Sequence, residues 1–121
     1  MIEPISFTGY NSPLKSEWRK GKFPTVRHGF YGDELTNENI SLEHLQPHSK
    51  GGKTKLNNLV LASKEKNNIR GSKPIQNFVN KQTIADYLLQ FIGIKTKKFN
   101  GDDYINGVIT TLKDMHIDLT V

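Results

Sequence analysis

Four side chains in the middle of the chain have the chemistry needed to hydrolyse a phosphodiester bond. Glu43 and His44 are adjacent, and Asn58 and Asn67 follow nine positions apart. Carboxylate and amide oxygens are hard ligands that suit Mg²⁺ or Mn²⁺. An imidazole with an ordinary pKa of about 6.5 can accept a proton from water at neutral pH. With a basic rim around them, these groups supply the parts of a metal-assisted phosphodiester hydrolysis.

The four residues lie on a predicted strand–loop–strand–helix unit. Residues 40–45, ISLEHL, alternate between apolar and polar as a short strand does, and residues 59–62, LVLA, indicate a second, buried strand. A helix then begins after Ser63, which is a suitable N-cap, and stops at Gly71. Because the helix of such a unit folds back across the hairpin, Asn67 can face the first strand.

The adjacency of Glu43 and His44 sets a geometric requirement on this unit. Neighbouring residues of an ideal strand point to opposite faces. The two side chains can therefore share one site only if the backbone bends, and we expect that bend near Pro47 and the loop that follows it.

Helices are predicted on both sides of the central unit. Residues 12–20 indicate a short helix, and apolar residues spaced three and four apart predict further helices from Pro74 onward. The predicted apolar positions of these later helices are Ile75, Phe78, Val79, Ile84, Tyr87, Leu88, Phe91, Ile92, Tyr104, Ile105, Val108, Ile109, Leu112 and Met115. We predict one α+β domain with an N-terminal segment (1–27), a core (28–74) and C-terminal helices (75–121).

The composition favours a polyanionic partner. The net charge is +5, from 17 Lys and Arg against 12 Asp and Glu, and each phosphate contact releases counterions. One basic cluster surrounds the central unit and comprises Lys50, Lys53, Lys55, Lys64, Lys66, Arg70 and Lys73. A second comprises Lys15, Arg19, Lys20, Lys22 and Arg27. Taken alone, either cluster could equally be a solvated surface.

Other features of the sequence narrow the class of protein. No apolar stretch approaches the roughly 18 residues of a membrane span, and the first ten residues lack the pattern of a secretory signal. We therefore expect a cytoplasmic protein, in a bacterial or phage-infected cell, that has no membrane partner. The chain has no cysteine, which excludes disulfides and Cys-type zinc sites.

The stretch LEHLQPHSKGG followed by NNLVLASKEKNNIRG resembles the motif of the HNH nuclease family. The matching positions are Glu43, His44, Pro47, Ser49, Gly51, Gly52, Asn58, Leu59, Val60, Leu61, Asn67, Arg70 and Gly71. The resemblance covers roughly residues 28–74, and so many positions in register make it specific. It implies a ββα-metal core flanked by the N- and C-terminal helices.

The resemblance also implies a role for each matched residue. His44 is the expected general base, which activates the attacking water. Glu43 and Asn67 are the expected ligands of one divalent ion, Mg²⁺ or Mn²⁺. Asn58 is expected to hold the loop between the strands and to orient His44. Asn68 is a rival for the ligand role, but the register favours Asn67.

This chain departs from the family pattern at two places. Many members carry two Cys-x-x-Cys pairs that bind a structural zinc, and here the aligned positions are His28 and Tyr31, then Ser63 and Lys66. We therefore expect no structural zinc, with aromatic and aliphatic packing in its place. The other departure is Glu43, where the shorter Asp is commoner.

These features predict a metal-dependent HNH endonuclease that hydrolyses DNA, double- or single-stranded. Its expected DNA-binding residues are Lys50, Lys53, Lys55, Arg70 and Lys73. Two alternatives stay open: a non-catalytic nucleic-acid-binding protein on the same scaffold, and a small basic packaging or assembly factor of a phage. The remaining histidines have simpler interpretations, since His48 is a phosphate contact or a solvated residue, His28 a loop or packing residue, and His116 unrelated to the site.

Overall fold

The computed structural model describes residues 13–47, 51 and 55–119. Within these ranges lie α1 (Pro13–Arg19), β1 (Ile40–His44), β2 (Leu59–Ser63), α2 (Lys64–Arg70), α3 (Lys81–Leu89) and α4 (Gly101–Asp114), with short 3₁₀ turns at Leu56–Asn58 and Ile75–Asn77. The α+β class and the ββα order of the core are as predicted. None of the helices in the described ranges is long and apolar enough to cross a membrane.

The core unit is an antiparallel hairpin followed directly by a helix. β1 and β2 pair in register from Ile40 with Ser63 to His44 with Leu59. Every residue of β2 is buried, as its unbroken apolar run predicts. The Ser63 hydroxyl accepts a hydrogen bond from the backbone N–H of Lys66 at 3.2 Å, so it caps α2 as expected.

The C-terminal region differs in detail from the predicted helices. After Pro74 the chain forms only a 3₁₀ turn, and α3 begins later, where the Asn80 side chain accepts from the backbone N–H of Thr83 at 2.9 Å. The prediction of Ile92 on the buried face is wrong: α3 ends at Leu89, and in the turn that follows Phe91 is buried whereas Ile92 is 59% exposed. The helical period therefore does not hold at that position.

Packing between the flanks and the hairpin holds the core together. α1 packs against both strands, and α4 packs against the 3₁₀ turn that precedes β2. Phe23, Phe91, Phe99 and Tyr104 form an aromatic cluster, with ring centroids 4.7 Å apart for Phe23 and Phe99. Gly101 opens α4 where a Cβ atom would lie 1.9 Å from the Phe91 carbonyl oxygen, so a residue with a side chain cannot fit there without a shift.

Two segments of the chain, around His28 and Tyr31 and around Ser63 and Lys66, correspond to the zinc-binding pairs of the resembled family. Hydrogen bonds from polar side chains, in addition to packing, hold these segments in place. The Asp33 carboxylate accepts from the backbone N–H groups of Tyr31 at 3.2 Å and Ser63 at 2.5 Å. The Gln90 side chain accepts from the N–H groups of Arg27 and His28 and donates to the His28 carbonyl at 2.9 Å. These bonds join the two segments to the hairpin and to the end of α3, which the expectation of purely apolar packing missed.

Candidate active site

Asn58 fixes the ends of the loop between the strands. The side chain is buried, and its carbonyl oxygen accepts from the backbone N–H of Gln46 at 2.9 Å while its amide donates to the Gln46 carbonyl at 3.1 Å. The Leu45 N–H also donates to the Asn58 carbonyl at 2.8 Å. The backbone just after His44 is therefore held by both the main chain and the side chain of Asn58.

Asn67 joins α2 to the outer edge of β1. Its amide nitrogen donates to the Leu42 carbonyl at 3.1 Å and to the Ser41 hydroxyl at 3.3 Å. Because the nitrogen is used in this way, the amide oxygen remains as the group that can bind a ligand. Asn67 is half-buried whereas Asn68 is exposed.

Arg70 is the most heavily bonded side chain of the site. Its guanidinium donates to Glu43 Oε2 at 2.9 Å, to the His44 carbonyl at 2.8 Å and to the Leu45 carbonyl at 2.9 Å. A fourth bond, from Nε, reaches the Lys73 carbonyl at 2.7 Å. Arg70 is only 1% exposed, so its prediction as a DNA-binding residue is corrected. Its donors are used inside the protein, where they hold the Glu43 carboxylate and the carbonyls of His44 and Leu45.

Glu43 faces α2 in an enclosed environment. Oε2 is taken by Arg70, whereas the buried Oε1 makes no hydrogen bond with any of the described residues. Burial raises the pKa of Glu43 to about 7, although the hydrogen bond and the charge of Arg70 act in the opposite direction. A cation at Oε1 would favour the ionised carboxylate and would satisfy the unused oxygen.

His44 ends β1 and is half-buried. The ladder stays regular through its pairing with Leu59, and the chain bends only at residues 45 and 46. The expected bend is therefore present, but it follows His44 and does not separate it from Glu43. Neighbouring side chains of a regular strand leave on opposite faces, and here the strand ends at His44 with the bend directly after it.

The predicted basic residues fall into three groups. Lys50 and Lys53, like His48, lie outside the described residues. Lys55 is exposed immediately before the 3₁₀ turn that carries Asn58. Lys73 is exposed, and its amine lies 5.9 Å from the centroid of the Phe78 ring.

A groove of about 340 Å³ opens beside Arg70, on the loop side of the hairpin. Gln46 and Pro47 line it together with Asp114 and His116 from the end of α4. Glu43, His44 and Asn67 do not line this groove, so the interpretation of His116 as unrelated to the site stays a prediction. His116 has φ of +67°, in the left-handed region that usually takes glycine at a helix end.

The donor set of the site is small. No group of three or more His, Asp or Glu side chains that could hold a metal occurs in the part of the chain that the structure describes. One carboxylate oxygen of Glu43 and one amide oxygen of Asn67 are nevertheless hard ligands of the right kind for a divalent ion. Mg²⁺ usually keeps several waters and takes only one or two carboxylates together with substrate phosphates, so these residues fit such an ion.

A hairpin with a helix along one edge and a Glu-His pair ending its first strand define a ββα-metal type of domain. Residues 31–74 match the model of the HNH endonuclease family. Its members are generally nucleases that act on nucleic acid with a divalent metal. A search of curated proteins and a search of solved structures each found no match.

Proposed function

We propose that the protein is a metal-dependent endonuclease that hydrolyses DNA phosphodiester bonds at the loop end of the β1–β2 hairpin. The observation that carries this proposal is the buried Glu43 Oε1, which has no hydrogen-bond partner among the described residues. A carboxylate oxygen left in this state costs free energy unless a ligand satisfies it. A divalent ion held by Glu43 and Asn67 is the ligand that this donor set fits.

His44 acts as the general base in this proposal. It accepts the proton of the attacking water, and a positioned base of this kind typically contributes about a hundred- to ten-thousand-fold in rate. The divalent ion supplies charge stabilisation for the phosphate and the leaving oxygen. Hydrolysis places the new oxygen on phosphorus and breaks the bond to the 3′ oxygen, which leaves a 5′ phosphate.

Arg70 and Asn58 act as positioning residues. Arg70 holds the carbonyl of His44 and the carboxylate of Glu43 with the same guanidinium. Asn58 fixes the loop directly after His44 from the 3₁₀ turn that precedes β2. The base and the metal ligand therefore move as one unit, which preserves their geometry without a contact between them.

The test is cleavage of supercoiled plasmid by the purified protein with Mg²⁺, with Mn²⁺ or with EDTA. We expect nicked or linear product with a metal, none in EDTA, and none from the His44→Ala variant in any of these buffers. A retarded DNA band without any cleaved product would overturn the enzyme proposal and favour the non-catalytic nucleic-acid-binding alternative.

A further inference from the structure

The fold brings together three cations that are distant in sequence. Lys15 and Arg19 lie four residues apart on α1, and Lys64 is the first residue of α2. The turn before β1 links them: Arg19 donates to the Asn37 carbonyl at 3.1 Å, and the Lys64 N–H donates to the Asn39 carbonyl at 2.7 Å. We call Lys15, Arg19 and Lys64 the cationic face.

The cationic face is electrostatically unfavourable in the free protein. Partial burial, followed by the positive charges of Arg19 and Lys64, lowers the pKa of Lys15. The ion pairs found among the described residues are Lys20 with Glu17 and Arg70 with Glu43, and neither relieves the face. Lys64 also lies at a helix N-terminus, where the helix dipole disfavours a cation. A polyanion would relieve both conflicts.

The cationic face has a defined position relative to the candidate active site. Lys64 follows Ser63, which pairs with Ile40 at one end of the hairpin, whereas His44 lies at the other end. Four strand steps separate Ile40 from His44, and at about 3.4 Å each they span roughly 14 Å. That length corresponds to about four base pairs of duplex DNA.

We propose that the cationic face binds the phosphate backbone of duplex DNA about four base pairs to one side of the cleaved bond. This inference rests on the proposed function, because it assigns a second contact to the same substrate. It places α1, which lies outside the HNH segment, in the DNA-binding surface. Duplex DNA fits because it presents phosphates at regular spacing over this distance.

The test is the salt dependence of affinity for a labelled duplex, measured by fluorescence anisotropy in EDTA so that no cleavage occurs. The test variant is Lys15→Gln/Arg19→Gln/Lys64→Gln. The control, Lys81→Gln/Lys97→Gln/Lys113→Gln, removes the same charge from exposed residues elsewhere. We expect the slope of log Kd against log salt to fall by about 0.9 per lost contact in the test variant and to change little in the control.

An equal decrease of this slope in the test and control variants would overturn the proposal, since the change in net charge alone would then account for it. An unchanged slope in the test variant would also overturn it. If the triple variant melts early, Lys15→Gln/Lys64→Gln keeps the Arg19 bond to Asn37 and is measured in its place.

Single-turnover cleavage at saturating protein separates this proposal from the proposed function. The test variant should cleave at the wild-type rate once DNA is saturated, whereas His44→Ala should bind with normal affinity and not cleave. A wild-type protein that cleaves nothing would overturn the proposed function. If the test variant nevertheless loses affinity and the control does not, the proposed role of the cationic face in DNA binding is still supported. A slower rate for the saturated test variant would contradict a role confined to binding.

Discussion

The backbone groups at the two outer edges of the β1–β2 sheet form hydrogen bonds with different kinds of side chain. Along β2, the Leu61 N–H donates to the Tyr87 hydroxyl at 2.9 Å, the two tyrosine hydroxyls lie 2.9 Å apart, and Tyr104 donates to the Leu59 carbonyl at 2.7 Å. Along β1, the carbonyls accept from Asn67 and Arg70 of α2. Both edges would otherwise expose unpaired backbone groups.

The two edges differ in the side chains that complete them. On the β2 edge, burial raises the pKa of both tyrosine hydroxyls, so they stay neutral, and each can donate one bond and accept another. The two tyrosine hydroxyls thereby satisfy the Leu61 N–H and the Leu59 carbonyl of that edge. The β1 edge uses an amide and a guanidinium, and it leaves Glu43 Oε1 with no partner in the described residues. Among the described residues, the buried side-chain oxygens without a hydrogen-bond partner are Glu43 Oε1 on β1 and the hydroxyl of Tyr31, which follows Phe30 at the β2 edge. Only the Glu43 oxygen belongs to a carboxylate, the group that a divalent cation prefers.

The largest effect should come from His44→Ala. This change removes the base at the end of β1 but removes no fully buried side chain, so we expect cleavage to fall by about a hundred- to ten-thousand-fold. Plasmid nicking with matched thermal melts is the measurement. Wild-type cleavage by a folded variant would show that the β1 edge is as structural as the β2 edge.

Arg70→Ala should be the most destabilising change on the β1 edge. It leaves Glu43 buried without its partner, and breaking a buried ion pair typically costs about 3–5 kcal/mol in the free energy of unfolding. Urea unfolding measures this cost. Arg70→Lys is the informative companion, since it keeps the charge but cannot make all four bonds, and we expect a folded protein with lower kcat. Full activity in a stable Arg70→Lys protein would contradict the positioning role.

Asn67→Ala should weaken metal binding, so activity should return in part at high metal concentration. Titration of the cleavage rate against Mg²⁺ and Mn²⁺ gives the apparent affinity. Asn68→Ala is the matched control, because that neighbour is exposed. If Asn68→Ala is the damaging change, the register of the motif on α2 is wrong by one residue.

Tyr87→Phe tests the outer edge of β2. It removes the acceptor for the Leu61 N–H and the bond to Tyr104, and an unsatisfied buried group costs about 1–3 kcal/mol. We expect a lower melting temperature and an unchanged cleavage rate at a temperature where the variant is folded. A loss of turnover without a loss of stability would mean that the two edges are coupled.

The sequence predicted the elements that local chemistry determines. The capping Ser63 and the apolar run of β2 place the core unit within a residue or two, and the motif register identifies Asn58 and Asn67. The contacts between side chains of distant segments could not be predicted from the sequence. The spacing of apolar and polar residues does not indicate that the Arg70 side chain turns inward to Glu43. It also does not indicate that Gln90 bonds to the backbone of His28, or that His116 lies beside Gln46 and Pro47. Such contacts depend on how distant segments dock.

The smallest expected effect concerns a structural metal. At the positions aligned with the zinc-binding pairs, Tyr31, Ser63 and Lys66 are poor zinc ligands, and the Ser63 hydroxyl caps α2. Asp33 and Gln90 already join these segments by hydrogen bonds. We therefore expect EDTA to stop cleavage without unfolding the protein, and elemental analysis to find no stoichiometric zinc. A zinc whose removal collapses the melting transition would show that a structural site has been rebuilt from other side chains, and the hydrogen bonds of Asp33 and Gln90 would then be secondary to it.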